Sequence, residues 1–292
     1  MRELVKKLRK YEIQIRKAIT AQMQGNYHSI FKGSGLESDD IRTYQYGDDI
    51  RTIDWNVTAK GNGTYVKTYK EEKEQTIFFL LDVSASQEIG SQGQKKIDIG
   101  KEICGVLTLS AIKENSHVGL ICYSDQKEQY VRPGTGTSHG YQLIKKLYEL
   151  KPVSIKTNLS RAILYALNAI KRRSVVILIS DFIDEGYEHN LKALARKHDL
   201  VVIKISDNRE INLPKLGIIP LYEKESQKTI WINTSSKNFR STMQQHLQEG
   251  QFDLHTFCKK NQANYLSLNT KEDFVPQLIK LFKLRNKTRK SV

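Results

Sequence analysis

The sequence predicts an α/β protein with a doubly wound, mostly parallel sheet that is flanked by helices. Two unbroken apolar runs, Ile77–Leu81 and Val175–Ile179, are each followed within two residues by an aspartate. Apolar runs without alternation are typical of strands that are buried on both faces of a parallel sheet. Helical patterns alternate with further strand patterns between and after these runs, which is the order of elements in parallel α/β folds.

The first 75 residues are predicted to form an N-terminal helix and an irregular, partly β block. An apolar stripe at spacings of four and three predicts an amphipathic helix within residues 1–24: Leu4, Leu8, Tyr11, Ile15 and Ala18. We expect this helix to pack on the body of the protein, and a helix that docks a partner is the alternative. The Gly-rich residues 26–75 contain one strand-like run, Thr64–Tyr69.

The alternating α/β pattern occupies residues 76–285. Strand patterns are followed by helix patterns along this region, and the last strand and helix are expected to complete one edge of the sheet. A polar, basic tail over residues 286–292 closes the chain. The predicted elements are strand Ile77–Leu81, helix Lys95–Lys113, strands Val118–Tyr123 and Gln129–Val131, helix Tyr141–Leu150, a helix after Thr157, strand Val175–Asp181, helix Leu191–Lys197, strand Leu200–Ser206, hairpin strands Ile218–Tyr222 and Thr229–Asn233, helix Phe239–Lys260, strand Tyr265–Leu268 and helix Phe274–Leu284.

The charge is unevenly distributed along the 292 residues. The formal net charge is +15, which raises nucleic acid or anionic lipid as partners. Most of the excess lies at the two ends of the chain, whereas Gly35–Asp54 is rich in acids. No RNA-binding aromatic signature or helix-turn-helix pattern accompanies the basic residues. We therefore expect no sequence-specific recognition of nucleic acid.

Cysteine and histidine carry no metal-ligand spacing. The three Cys (Cys104, Cys122 and Cys258) have apolar neighbours and predict buried thiols, not a disulfide framework or a zinc site. No apolar stretch approaches the roughly 18 residues of a transmembrane helix, and no apolar segment follows the basic N-terminus as in a signal peptide. These patterns predict a cytoplasmic protein without a membrane span.

Three short segments place oxygen-bearing side chains at the predicted carboxyl edge of the sheet. Asp82, Ser84 and Ser86 directly follow the first strand, and Asp181 ends the second. In a doubly wound sheet, both strands would lie side by side where the strand order reverses, which is where ligands bind. Thr157 lies just before a predicted helix, with Asn158 or Thr157 near its N-cap. An all-oxygen set suits a hard cation such as Mg²⁺, with Mn²⁺ or Ca²⁺ as alternatives.

These segments resemble the von Willebrand factor A domain with its metal-ion-dependent adhesion site. Asp82, Ser84 and Ser86 match the D-x-S-x-S motif of that site, Thr157 its isolated threonine and Asp181 its final aspartate. The resemblance implies a Rossmann-like fold, hydroxyl ligands to Mg²⁺ and acids that act directly or through water. It also implies an open metal position that accepts a carboxylate from a partner protein, with no catalysis.

A longer resemblance precedes this region. The runs Phe31–Glu37, Arg42–Trp55 and Tyr65–Glu72 are similar to the block that precedes the A-like domain in the bacterial family called domain of unknown function 58. The family signature here comprises Gly47, Asp48, Asp49, Arg51, Asp54 and Trp55. This resemblance implies a partnership with a MoxR-type AAA+ ATPase.

The acid-rich signature admits more than one role. We expect Asp48 and Asp49 to cap a turn, Arg51 to pair with Asp54 or a neighbouring acid, and Trp55 to pack beneath. Contact with a partner protein, or a catalytic metal pair together with the acids at the sheet edge, are the alternatives. The absence of a histidine in the motif argues against catalysis because it leaves no evident general base.

The predicted function is therefore that of a non-enzymatic, Mg²⁺-dependent protein-interaction module, an adaptor for an AAA+ ATPase that assembles or remodels a target complex. One alternative is a metal-dependent phosphoesterase that uses Asp82, Asp181 and nearby acids. A second alternative is a basic protein associated with nucleic acid.

Overall fold

A computed structural model describes most of the chain. The described residues are 2–20, 40–46, 50, 53, 55–61, 63–68, 75–91, 93–211, 217–223, 228–237 and 253–288. The chain divides into two compact units, one of Lys32–Glu74 and one of Met1–Phe31 with Gln75–Val292.

The small unit contains an antiparallel strand pair and one helical turn. Strand β1 (Asp40–Thr43) pairs with β2 (Tyr65–Thr68), which agrees with the strand-like run predicted there. Helix α2 (Trp55–Thr58) lies between them in sequence. The prediction that Trp55 packs beneath the signature is wrong, because the side chain is 66% exposed. The other signature residues lie outside the described residues: Gly47, Asp48, Asp49, Arg51 and Asp54.

The large unit is built on a six-stranded sheet that confirms the predicted fold class. The spatial order of its strands is β12 (Asn264–Asn269), β9 (Asp199–Ser206), β8 (Val175–Ser180), β3 (Thr76–Asp82), β6 (His117–Tyr123) and β7 (Lys127–Gly134). Every neighbouring pair is parallel except β6 with β7. The chain runs from β3 outward to β6 and β7 and then returns to β8 on the other side of β3, so the order reverses between β3 and β8.

Helices cover both faces of this sheet. They begin and end close to the predicted bounds, although α4 starts five residues earlier than its apolar pattern. The helices of this unit are α1 (Arg2–Thr20), α3 (Lys96–Lys113), α4 (Gly136–Glu149), α5 (Leu159–Ala169), α6 (Glu188–Lys197), α7 (Asn208–Ile211), α8 (Leu254–Lys260) and α9 (Phe274–Thr288). Residues 239–252 of the predicted helix Phe239–Lys260 lie outside the described residues. None of the helices that the structure describes has the length and apolarity that a membrane crossing requires.

Two hydrophobic clusters fill the space between the sheet and the helices. In β3, Ile77, Phe79 and Leu81 belong to the cluster that also contains residues of α1, α3, α4 and α9. Phe78 and Leu80 belong to the cluster on the opposite face, with residues of α5, α6 and α8. The alternation follows from the period of two in a strand. All three cysteines are buried and free, as predicted.

Two short hairpins accompany the sheet. Strands β4 (Gly90–Ser91) and β5 (Gln94–Lys95) form a tight antiparallel pair immediately before α3. Strands β10 (Ile218–Glu223) and β11 (Lys228–Asn233) form the predicted hairpin.

Helix α1 is part of the core of the large unit. Leu8 and Ile15 are buried, and a Cβ atom at Gly105 of α3 would lie 2.8 Å from Leu8 Cδ1. The two helices therefore approach closely at that glycine. The Lys113 ammonium also donates to the buried Glu12 carboxylate at 2.7 Å. These contacts favour the prediction that the N-terminal helix packs on the body of the protein.

We predict that Leu8→Ala lowers the free energy of unfolding by about 2–5 kcal/mol, because it leaves a cavity between α1 and α3. Ile13→Ala on the same helix should change it by about 0.5 kcal/mol or less, because Ile13 is 39% exposed. Urea unfolding measures both variants. Equal, small effects would mean that α1 does not belong to the folded core.

Candidate functional site

Two neighbouring strands end in acids at one edge of the sheet. β3 and β8 pair in parallel up to Leu81 and Ile179, which places Asp82 next to Ser180. The Ser180 hydroxyl donates to Asp82 Oδ2 at 2.7 Å. Asp82 and Asp181 are both buried, with 0% and 1% of their surface exposed. The structure thus brings together the two predicted acids at the point where the strand order reverses.

The D-x-S-x-S loop folds around the Asp82 carboxylate. Asp82 Oδ1 accepts from the Ser84 backbone amide at 3.0 Å and from the Ser84 hydroxyl at 2.7 Å. Ser84 then precedes a 3₁₀-helix, Ala85–Glu88, from which the Gln87 amide donates to Asp82 Oδ2 at 3.3 Å. The Ser84 and Ser86 hydroxyl oxygens lie 3.0 Å apart. Ser84 and Ser86 are therefore held as an adjacent pair of oxygens.

The segment that contains Thr157 is attached to the same edge by backbone hydrogen bonds. The Ala85 amide donates to the Ile155 carbonyl at 3.0 Å, and the Asn158 amide donates to the Ser124 carbonyl at 3.2 Å. Thr157 lies between these two attachment points and is half-buried. Ile155, two residues before Thr157, therefore lies beside Ala85 of the loop that contains Ser84 and Ser86.

Asn158 is the N-cap of α5, one of the two predicted candidates. Its side-chain oxygen accepts from the Arg161 amide at 2.8 Å, as N-cap residues do. Asp184 Oδ2 accepts from the Leu159 amide at 2.6 Å, which places a further carboxylate at the positive end of this helix.

Asp181 is bound on both of its oxygens. Lys96 Nζ donates to Asp181 Oδ2 at 2.7 Å, and the Ile183 amide donates to Oδ1 at 3.1 Å. The chain turns sharply after Asp181 because Phe182 adopts a φ of 58°, an uncommon conformation for a bulky residue. Lys96 is fully buried, with 0% of its surface exposed. The Lys96–Asp181 pair is thus an ion pair without contact with solvent.

Burial and the neighbouring charge of Asp181 raise the pKa of Asp82 to about 7, against the opposing effect of the hydrogen bonds from Ser84 and Ser180. Burial, with the charge of Asp82, also raises the pKa of the Tyr123 hydroxyl well above its usual value. Once Asp82 is ionised, the ammonium of Lys96 balances only one of the two buried carboxylates, Asp82 and Asp181.

The donor set fits a hard divalent cation. Two ligands at right angles on an octahedral Mg²⁺, each about 2.1 Å from the metal, lie about 3 Å apart. The Ser84 and Ser86 hydroxyls form a hydrogen bond with an oxygen–oxygen distance of 3.0 Å, and a separation of this size also suits two adjacent ligands of Mg²⁺. Among the described residues, no group of three or more His, Cys, Asp and Glu side chains could hold a metal. A metal at this edge would therefore depend on hydroxyl oxygens.

Several residues of the site could not be found from the sequence pattern. Ser180 precedes Asp181 and looks like the end of an apolar strand, and Gln87 follows the motif without a recognised spacing. Lys96 begins a helix whose neighbours are apolar, and its partner Asp181 lies 85 residues later in the sequence. The one available signal in the sequence is that two polar residues, Ser180 and Asp181, follow each other at the end of the strand. Because adjacent strand residues face opposite sides of a sheet, one of the two is expected on each side.

A match to a protein-family model shows which family the chain belongs to. The family described as "Protein of unknown function DUF58" matches residues 40–252, which is well over half of the chain. This chain belongs to the DUF58 family. The match includes the signature block and most of the sheet.

Relatives with similar sequences are proteins of mycobacteria. Uncharacterized proteins of Mycobacterium bovis and Mycobacterium tuberculosis are each 26% identical over 227 residues, which covers 77% of this chain and 72% of theirs. An uncharacterized protein of Mycobacterium avium is 25% identical over 137 residues.

The solved structures that match this chain have low sequence identity to it. BatB, a conserved hypothetical protein of Bacteroides thetaiotaomicron, is 15% identical with a TM-score of 0.46, and the match covers 74% of this chain and 99% of BatB. The manganese-loaded TRAP protein of Plasmodium vivax is 18% identical with a TM-score of 0.37, and the match covers 72% of this chain and 74% of that protein.

We predict that ionisation of Asp82 destabilises the metal-free protein. A carboxyl group whose pKa is about 7 when folded and about 4 when unfolded stabilises the folded state at low pH. That contribution is lost between about pH 4 and pH 7, by at most about 1.4 kcal/mol per pH unit.

The measurement is urea unfolding in EDTA at pH 5 to 8 for the wild type and Asp82→Asn. The difference in unfolding free energy, wild type minus variant, should fall as the pH rises. The comparison removes the opposite contribution of His198, whose pKa burial lowers to about 4 in both proteins. A difference that is constant over this range would mean that Asp82 is ionised throughout.

Proposed function

We propose that this chain is a non-enzymatic, Mg²⁺-dependent protein-interaction module. The observation that carries the proposal is the pair of Ser84 and Ser86 hydroxyl oxygens, 3.0 Å apart, beside two buried acids at the carboxyl edge of a parallel sheet. Ligands of open α/β sheets bind at this edge. The likeness of the D-x-S-x-S, Thr157 and Asp181 pattern to the metal-ion-dependent adhesion site supports the same function.

The residues have distinct roles in this proposal. Ser84, Ser86 and Thr157 would hold the cation directly through their hydroxyl oxygens. Asp82 is already bound to Ser84 and Ser180, so its charge would act through the serine hydroxyls that it orients. Asp181 would act at longer range, because Lys96 and a backbone amide occupy its oxygens.

A bound Mg²⁺ would supply a hard cationic centre that keeps an open position for an oxygen ligand. Because the proposed direct ligands are hydroxyl groups without a full negative charge, the cation would keep positive charge. Its open position would therefore suit a carboxylate from another protein. On the basis of the family resemblance, we propose a MoxR-type AAA+ ATPase as the partner. This chain would be its adaptor in the assembly or remodelling of a target complex.

The described contacts give less support to phosphoester hydrolysis. Asp82, Ser84 and Asp181 contact serine, glutamine and lysine side chains and backbone amides. No histidine of the described residues is among these contacts, so a general base beside the serine pair is not evident. Hydrolysis of p-nitrophenyl phosphate that requires Mg²⁺ and Asp82 would overturn the non-enzymatic assignment.

We predict that Mg²⁺ stabilises the wild-type protein through the hydroxyl ligands. Binding to the folded state alone raises the free energy of unfolding by about 2.7 kcal/mol when Mg²⁺ is at a hundredfold excess over Kd. Ser84→Ala and Thr157→Val should reduce this gain strongly, since each deletes one hydroxyl with little change in volume.

Thermal unfolding in Mg²⁺ and in EDTA checks this prediction. Ser138→Ala is the matched control, because Ser138 is exposed on α4 and has no role in the site. A midpoint that does not respond to Mg²⁺ in the wild type, or responds equally in Ser84→Ala, would leave these serines as ordinary loop residues.

We predict that the partner supplies a carboxylate to the site. Isothermal titration against a candidate AAA+ ATPase should show binding in Mg²⁺, at least tenfold weaker binding in EDTA, and the same loss for Ser84→Ala in Mg²⁺. Circular dichroism should show that Ser84→Ala remains folded. Equal affinity in Mg²⁺ and EDTA would place the interface elsewhere on the protein.

A further inference from the structure

Lys96 occupies an unusual position for a lysine. It is the first residue of α3, where the helix dipole disfavours a positive charge, and none of its surface is exposed. An unpaired buried ammonium is costly. Its charge is met by Asp181, whose Oδ2 lies 2.7 Å from Lys96 Nζ. Lys96 is therefore placed to act on Asp181 and cannot contact a partner protein directly.

The local structure fixes this placement. The β4–β5 hairpin leads directly into α3, and the Lys96 amide donates to the Ile89 carbonyl at 3.0 Å. A Cβ atom at Gly90 would lie 2.5 Å from Lys95 Cα, so the hairpin closes more tightly than a side chain would allow. Arg209 Nη1 donates to the Gly90 carbonyl at 2.9 Å and joins the hairpin to the residues after β9. Lys96 thus begins α3 directly after a turn that these hydrogen bonds hold in place.

The charges of the site determine what it can bind. With Asp82 ionised, the three buried charged groups described here, Asp82, Asp181 and Lys96, have a net charge of −1. A divalent cation would then carry one unbalanced positive charge, which favours an anionic ligand at the open position. Without the ammonium, two carboxylates would neutralise the cation completely. The metal would bind more tightly, and its attraction for a further carboxylate would be lost.

We propose that Lys96 is a built-in counter-ion that neutralises Asp181, so that the site binds a divalent cation weakly and leaves it electrophilic toward a partner carboxylate. This inference rests on the proposed function, since it assigns Lys96 a role toward the same metal. Lys96 is a positioning residue here, and it acts through Asp181. A purely structural role would require the ion pair for folding but would leave the metal affinity unchanged.

The test is isothermal titration with Mg²⁺ alone, on the wild type, Lys96→Met and Lys101→Met. The wild type should bind Mg²⁺ weakly, and Lys96→Met should bind it at least about tenfold more tightly, because a like charge near the cation is removed. Lys101→Met carries the same substitution on the same helix, where Lys101 lies over the Tyr148 ring, and should bind as the wild type does. Equal affinity of the wild type and Lys96→Met would overturn the inference.

The double variant Lys96→Met/Asp181→Asn keeps the test decisive if Lys96→Met alone does not fold. It removes both buried charges, so no unpaired ion is left in the core, and the net charge of the site stays at −1. It should bind Mg²⁺ within about threefold of the wild type if Lys96 already neutralises Asp181. A loss of tenfold or more would show that Asp181 is a direct ligand and would contradict the inference.

The same titrations separate this inference from the proposed function. Tight binding by Lys96→Met with none by the wild type would refute the proposed Mg²⁺ dependence, and with it the inference, which requires weak binding by the wild type. Binding by the wild type with no change in either Lys96 variant would support the proposed function and refute the inference. Absence of binding in all the folded proteins would refute both.

Discussion

The structure depends on the burial of two carboxylates at the end of two adjacent parallel strands. Asp82 and Asp181 have 0% and 1% of their surface exposed, and isolated buried charges are among the most costly features of a protein core. Each is compensated differently. Asp181 forms an ion pair with Lys96, whereas Asp82 receives hydrogen bonds from serine hydroxyls, a backbone amide and Gln87. Burial and the charge of Asp181 raise the pKa of Asp82 to about 7, although the hydrogen bonds from Ser84 and Ser180 act in the opposite direction.

The conformations of the loops at the sheet edge follow from the need to compensate these two buried charges. The chain after β3 folds back so that Ser84 can reach Asp82, and this brings the Ser84 and Ser86 oxygens together. The chain after β8 adopts a positive φ at Phe182, which lets the Ile183 amide reach Asp181. Backbone strain of this kind persists where the surrounding structure over-determines it, and it clusters at functional sites. The same hydrogen bonds that offset the buried charges thus prepare the oxygens that a cation would need.

Much of this arrangement could be predicted from the sequence because it depends on strand periodicity and topology. The apolar runs that precede Asp82 and Asp181 specify buried parallel strands, and the rule for strand order places their ends together. Asn158 could be predicted as a helix cap because its short side chain suits that position. Lys96 could not be predicted, since its pairing with Asp181 depends on the direction in which a tight hairpin starts α3. Trp55 was expected to be buried because large aromatic residues usually are. The sequence alone does not show which residues surround it in the fold.

Crystallography of the wild type with Mn²⁺, located by its anomalous scattering, tests whether the serine pair holds a cation. We expect one anomalous peak about 2.1–2.2 Å from the Ser84 and Ser86 hydroxyl oxygens, with Thr157 in reach and the Lys96–Asp181 ion pair intact. Mn²⁺ is used because it takes oxygen ligands as Mg²⁺ does. No peak beside these serines, or a peak coordinated by Asp181 with Lys96 displaced, would contradict the account.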